Sequence, residues 1–158
     1  MAIEKVKEYF KQWDMDCKIL EFDISSATVE LAARALNCEP ERIGKTLSFR
    51  IDDKCILIVT AGDAKIDNLK YKKIFGKKAR MLSSDEVETL TGHAVGGVCP
   101  FAVSEGVDIY LDISLKRFKT VFPACGSSNS AIELSMDQLE KYSYAAAWVD
   151  VCRDWSTD

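Results

Sequence analysis

Histidine is almost missing from this chain: His93 is the one imidazole in 158 residues. That removes clustered histidine ligands for a metal and leaves a single candidate for any imidazole base. Cysteine occurs six times, at Cys17, Cys38, Cys55, Cys99, Cys125 and Cys152, with no CxxC pair. The spacing excludes a zinc ribbon, and a chain this long needs no covalent staples, so the thiols read as reduced. No uninterrupted apolar stretch approaches the roughly 18 residues of a membrane span. Met1 to Trp13 mixes Lys5, Lys7, Glu4 and Glu8 with spaced apolar residues and lacks the core and cleavage site of a signal peptide, so a cytosolic protein is expected. Repeats and low-complexity segments are absent too, which excludes a solenoid.

With 47% hydrophobic and 29% charged residues the composition is that of one soluble domain, burying ~68% of its unfolded surface. The net charge of −4 argues against a protein that coats nucleic acid generally. Locally the picture reverses: Lys65, Lys70, Lys72, Lys73, Lys77, Lys78 and Arg80 are opposed only by Asp63 and Asp67. This stripe reads either as a solvated helix face with its exit loop or as a contact for an RNA backbone.

Ile3, Val6, Phe10 and Trp13 recur at spacings of three and four, predicting a helix over Ala2 to Asp14 with that face in the core. Lys18 to Asp23 reads as a short strand, and Val29, Ala32, Ala33 and Leu36 mark a second helix closed off by Pro40. Lys45 to Ile51 and Lys54 to Thr60 form the clearest hairpin, because Asp52 and Asp53 suit a tight turn. A helix over Asp67 to Phe75 should stop at Gly76, and Ser83 with Glu86 makes a capping box for a helix to Leu90. Val107 to Leu111, Thr120 to Pro123, Ala131 to Leu134 and Ala146 to Val151 read as strands, with helical stretches at Ile113 to Arg117 and Met136 to Tyr142. Ser156 to Asp158 reads as a tail. The mixture fits a twisted mixed sheet or open barrel decorated by helices.

Three segments carry chemistry. In Thr91 to Phe101, Gly92, Gly96, Gly97 and Pro100 interrupt an apolar run; such a loop either exposes consecutive N–H groups to an anionic oxygen or is an ordinary bend. Pro123 to Ser130 concentrates Gly126, Ser127, Ser128, Asn129 and Ser130, suited to lining a polar pocket or to a solvated connection. Gly44-Lys45-Thr46 is not a phosphate loop, since Glu39 stands where that motif needs glycine. Lys45 remains as a lysine at the mouth of an apolar strand, either a ligand group or an exposed strand-end charge. Cys99 and Cys125 have only His93 as a possible base, and buried free cysteine commonly acts as a small hydrophobe.

Taken in order, Lys45-Thr46-Leu47-Ser48, the GxxxP element Gly96-Gly97-Val98-Cys99-Pro100, and Pro123-Ala124-Cys125-Gly126 before Ala131-Ile132-Glu133-Leu134 resemble the YbaK/EbsC family of aminoacyl-tRNA editing deacylases, related to the editing insertion domain of bacterial prolyl-tRNA synthetase. The resemblance implies an α/β (α+β) domain with a mixed, mostly antiparallel, barrel-like sheet surrounded by helices. It implies that Lys45 holds the terminal adenosine of the tRNA, and that Gly96 with neighbouring backbone such as Gly97 positions the ester carbonyl for attack by water or a substrate group. Thr46, His93, Pro100, Gly126, Ser127, Ser128 and Asn129 complete the expected substrate-binding set. A mischarged aminoacyl-tRNA is then the partner, with a synthetase as a second one, and neither metal nor cofactor nor membrane is involved. The chain departs from better-known relatives at Ser127 to Ser130, which replace an arginine- or histidine-bearing stretch; this leaves specificity open between small amino acids. A non-catalytic tRNA- or nucleotide-binding module and a cysteine-dependent hydrolase are the competing expectations.

Overall fold

A computed structural model describes residues 2–155, so the expected tail at Ser156 to Asp158 lies outside the described residues. The first part of the chain forms α1 (Ala2–Phe10), β1 (Leu20–Glu21) and α2 (Val29–Leu36). The hairpin β2 (Ile43–Ile51) and β3 (Lys54–Ala61) follows, then β4 (Lys65–Ile66), α3 (Asn68–Phe75) and α4 (Ser84–Thr91). The remainder supplies β5 (Asp108–Asp112), β6 (Thr120–Pro123), β7 (Ser130–Ala131), β8 (Leu134–Ser135), α5 (Met136–Ser143), β9 (Ala147–Val149) and β10 (Cys152–Arg153). Short 3₁₀ turns at Lys11–Trp13, Asp16–Lys18, Pro40–Arg42 and Ile113–Arg117 join them.

Six strands make one curled half-barrel in the order β8-β6-β2-β3-β5-β9. Its spine is the antiparallel β2–β3 ladder, which runs from Gly44 opposite Ala61 to Ile51 opposite Lys54. Beside β3, β5 and then β9 add in parallel. On the other side β6 joins β2 in parallel only at Ile43 and Gly44, and β8 adds antiparallel to β6. Two small antiparallel pairs, β1–β7 and β10–β4, brace the ends, so four of the seven strand pairings are antiparallel. Leu57, Ile58 and Val59 on β3, with Leu111, Leu115, Val121, Leu134 and Leu139, are fully buried at the centre; each such side chain contributes roughly 1.5–3 kcal/mol.

The expected elements recur with physical adjustments at their ends. Asp52 sits at φ 54° in the hairpin turn, Gly76 at φ 75° ends α3, and Ser83 with Glu86 caps α4 reciprocally. The first helix gives way to a 3₁₀ turn after Phe10, because Asp14 turns left-handed and closes onto Lys11. The second helix ends at left-handed Asn37, and Pro40 opens the next turn rather than closing the helix. The strand expected over Ala131 to Leu134 is broken: Ser130–Ala131 pair with β1, and Leu134–Ser135 with β6. Ala146 to Val151 likewise divides, β9 staying in the sheet while β10 crosses to β4.

One contact behind the sheet matters for the site. A Cβ on Gly62 would lie 2.0 Å from the Pro40 carbonyl oxygen and 2.8 Å from Val29, so the turn after β3 is pressed against the start of the 3₁₀ turn. Gly62→Ala should therefore cost about 1–3 kcal/mol, as overpacking does, read as a lower midpoint in urea unfolding. An unchanged midpoint would show that the two turns are not in contact.

Candidate active site

The sheet edge beside β2 is shared by two segments that do not meet. At one end β6 pairs with Ile43 and Gly44. At the other, Arg50 N–H donates to the Arg80 carbonyl at 2.8 Å and Leu82 N–H to the Ser48 carbonyl at 3.1 Å. Between them, Lys45 to Leu47 has no neighbour along this edge among the described residues. Because outward-facing main-chain groups alternate along a strand, the outward Ser48 carbonyl and Arg50 N–H place the Thr46 N–H and C=O on the same open edge.

A cavity of about 440 Å³ fills that gap. Lys45, Thr46 and Leu47 form its floor; Ser26 to Val29 and Ala32 close one side, and Met81, Leu82 and Val87 another. Val95, Gly96 and Val98 of the GxxxP loop, with Phe122, Ala124, Ser130 and Ala131, complete the wall. Its lining is largely apolar, and Lys45 is the one ionisable side chain in it among the described residues. Among the described residues neither a carboxylate nor an imidazole lines the space.

The Lys45 ammonium, half-buried, donates to the carbonyls of Gly62 (3.4 Å) and Ala64. An ammonium has three N–H donors, so one remains for a ligand. Burial pulls its pKa below the usual lysine value of 10.5. The accepting turn is itself fixed: Arg117 grips the Asp63 carboxylate with both guanidinium nitrogens, and Ala61 N–H donates to Ser114 Oγ at 3.1 Å. Thr46 Oγ1 is buried and has no hydrogen-bond partner among the described residues. A hydroxyl left so is costly unless a ligand or water satisfies it.

In the GxxxP loop, Gly97 N–H donates to the Ala94 carbonyl at 3.0 Å, closing a turn in which Gly96 takes φ 90°. Gly97 is therefore not a free donor, contrary to the expectation that its amide joins Gly96 at the ester carbonyl. Its role is packing: a Cβ there would sit 2.9 Å from the Ser127 main chain, so glycine lets the two loops stack backbone on backbone. The Gly96 N–H has no partner among the described residues, and Gly96 lines the cavity.

The other expected residues divide. Thr46 lines the cavity, and Ser128 lies beside Gly96, its carbonyl accepting from Ser26 N–H at 2.6 Å. Gly126 stands behind the wall at φ 91° against α1, where a Cβ would meet Val6 at 2.9 Å. Ser127 and Asn129 hydrogen-bond each other at 3.0 Å and brace their own loop, Asn129 donating to the Phe22 carbonyl. Pro100 is buried and lines a separate hollow with Lys5 and Tyr144. His93 is 0% exposed, its Nε2 2.7 Å from the Phe101 carbonyl and 3.5 Å from Cys99 Sγ. These five do not line the cavity; they hold the loops that do.

Sequence reasoning missed Ser26 to Val29. Thr28 is the N-cap of α2, its Oγ1 accepting from Leu31 N–H at 3.2 Å. The amides of Val29 and Glu30 in the first turn have no partner among the described residues. The signal was legible in Thr28 as a capping residue before the apolar spacing, but the preceding serines read only as a breaker.

The described residues thus form a curled mixed half-barrel around a largely apolar cavity lined by one cation and open main-chain groups. The chain belongs to the aminoacyl-tRNA editing domain family, whose model matches residues 25–142. It is 54% identical over 156 residues to the uncharacterized protein YwhH of Bacillus subtilis, covering 98% of this chain and 99% of that one. It is 31% identical over 101 residues to the proline–tRNA ligase of Bacillus cytotoxicus, covering 63% of this chain but 18% of the ligase. A crystal structure of a candidate trans-editing enzyme for prolyl tRNA synthetase superposes with a TM-score of 0.86 at 25% identity, covering 96% and 97% of the two chains. Among the described residues, no helix is long and apolar enough to cross a membrane and no group of three or more His, Cys, Asp or Glu side chains stands ready to hold a metal.

The thiols are unsuited to nucleophilic attack: burial pushes Cys99 up to about 12 and Cys125 well above its ordinary value, and both are 0% exposed. Iodoacetamide at pH 8 on the folded protein should label exposed Cys17 and spare Cys99 and Cys125, as peptide mass mapping would read. Rapid labelling of Cys99 would reopen a thiol mechanism.

Proposed function

We propose that this chain hydrolyses the aminoacyl ester of mischarged tRNA in trans. The observation that carries the reading is a cavity whose one ionisable side chain among the described residues is Lys45 and whose other polar resources are the Thr46 edge, the Gly96 amide and small hydroxyls. Among the described residues the lining offers no thiol, imidazole or carboxylate, and an already activated aminoacyl ester needs none of them. A water oxygen, or a substrate group acting through it, attacks the carbonyl carbon. The ester C–O bond then breaks, the terminal ribose oxygen leaves with a proton, and the free amino acid departs.

The developing oxyanion faces the Gly96 N–H, an interaction of the kind worth about 2.7–4 kcal/mol in a dry site. Lys45 holds the 3′-terminal nucleotide, where its remaining N–H meets a phosphate or ribose oxygen. Thr46, through its open main-chain carbonyl, takes the substrate amine. Ser128 borders this space. The kinship with proline–tRNA ligases favours tRNA for proline and a synthetase of that kind as working partner. On this reading the amino acid removed is a small one, alanine, cysteine or serine.

Deacylation assays on alanyl-, cysteinyl- and seryl-tRNA test this directly: loss of at least one ester above background is expected. No loss on any would leave a non-catalytic binding module. Lys45→Ala should lower kcat/KM on the order of 10²-fold while changing stability by no more than about 1–2 kcal/mol. Gly96→Leu should do the same by filling the carbonyl site and straining a left-handed position. A fully active, folded Lys45→Ala protein would remove the lysine from the mechanism. Because burial lowers its pKa, the ammonium gives up its proton as the pH rises before the ordinary lysine value of 10.5 is reached, so the rate above spontaneous hydrolysis should start to fall on the way up to that pH.

A further inference from the structure

Charge in this molecule is concentrated in one place. Residues 65–80 hold seven of the 21 basic side chains and one of the 25 acidic ones; the remainder keeps 14 basic against 24 acidic. A net +6 over sixteen residues thus stands against −10 elsewhere. The segment comprises β4, α3 and the stretch leaving Gly76. Tyr71 is fully buried beside Phe49 and Phe75, which fixes the inner face of α3. The outer face is left to Lys72 and Lys73, both exposed.

Two of the cations are neutralised in place. Lys70 pairs with Asp150 and Lys77 with Asp52, each at 3.0 Å, while Asp67 caps α3. Lys65, Lys72, Lys73, Lys78 and Arg80 are exposed and have no acidic partner among the described residues. Leu69, 83% exposed, stands three and four positions before Lys72 and Lys73 on the same helix surface.

One end of the segment borders the cavity and the other is tied to it through Lys45. Ala64, just before Lys65, gives its carbonyl to Lys45, and Met81, just after Arg80, lines the wall. We infer that this stripe is the docking surface for the phosphate backbone of an RNA whose 3′ end enters the cavity. The inference rests on aminoacyl-tRNA as the ligand and adds where its body lies. The acidic remainder orients the approach, repelling a polyanion everywhere except at this edge.

The test compares K72A/K73A/K78A with a charge-matched control, K11A/K18A/K119A, for binding of uncharged tRNA across salt concentrations. Each phosphate contact contributes about 0.7–0.9 to the slope of log K against log salt. The stripe variant should therefore show a slope shallower by about 2–3, and between 50 and 200 mM salt the wild type should lose roughly 20–40-fold more affinity than this variant. The control should follow the wild type. In parallel, kcat/KM on aminoacyl-tRNA relative to that on aminoacyl-adenosine should fall at least tenfold in the stripe variant alone. Equal slopes in both triple variants would overturn the docking surface even if deacylation persists. A stripe-dependent slope without ester cleavage by the wild type would uphold it while sinking the hydrolytic reading. Wild-type tRNA binding by the stripe variant, with lost capture by proline–tRNA ligase, would assign the face to protein and also overturn the inference.

Discussion

A break in one sheet edge governs the rest of the site. Strand β2 is paired along its whole length with β3, yet on its other side β6 covers only Ile43 and Gly44, and residues 80–82 cover only its far end. Had either neighbour continued, the Thr46 main chain would be satisfied and no space would remain. Main-chain polar groups buried without partners cost about 1–3 kcal/mol each, so an open edge beneath an apolar roof is a standing demand for water or a ligand. The orphan Thr46 hydroxyl adds to it.

The single cation is built into this gap with more structure than a strand-end lysine requires. Its carbonyl acceptors lie in a turn pinned from three sides: Gly62 against Pro40, Asp63 in the grip of Arg117, and Ala61 on Ser114. Ser114 is set in turn by fully buried Asp112, which accepts from Ser114 N–H and Val151 N–H at 2.9 Å each. Desolvation works against the ammonium, and carbonyl dipoles offset part of that loss. The result is a charge that stays at one point, which suits recognition of a fixed oxygen better than a mobile surface lysine does.

The legible parts of the sequence were those in which one local rule decides the outcome. Asp52 in a hairpin, Gly76 after a helix and Ser83 with Glu86 act within a few residues, and the structure holds all three. The illegible parts depend on distant partners. Nothing local says that Ile132 should be the buried pivot between two separately paired dipeptides, or that the chain after β9 leaves the sheet to meet β4. Of the residues the sequence singles out, Lys45, Thr46 and Gly96 line the cavity; a cation and glycines stand out against an apolar background. His93 stood out equally, but it faces a backbone carbonyl inside the core; composition distinguishes the residue, while burial decides its use. Gly97 shows the same limit, since a glycine needed for close packing and one needed to expose an amide look alike until the neighbouring loop is in place.

The stacked loops also bear on selectivity. An apolar pocket distinguishes substrates differing by one methylene by only about 1–3 kcal/mol when both fit. Refusing a larger side chain outright requires walls that do not yield. Here the GxxxP loop lies on the Ser127 main chain with no side chain between, and Gly126 lies equally close on α1. Main-chain contacts of this kind cannot be relieved by a rotamer change, so the wall at Gly96 resists dilation in a way that a wall of leucines does not. On the proposed reading, a deacylase so built discriminates by exclusion: it spares correctly charged tRNA because the larger amino acid cannot bring its ester carbonyl up to the Gly96 amide. Small walls at Ala124 and Ala131 then set how much is admitted, and the rigidity behind them sets how strictly.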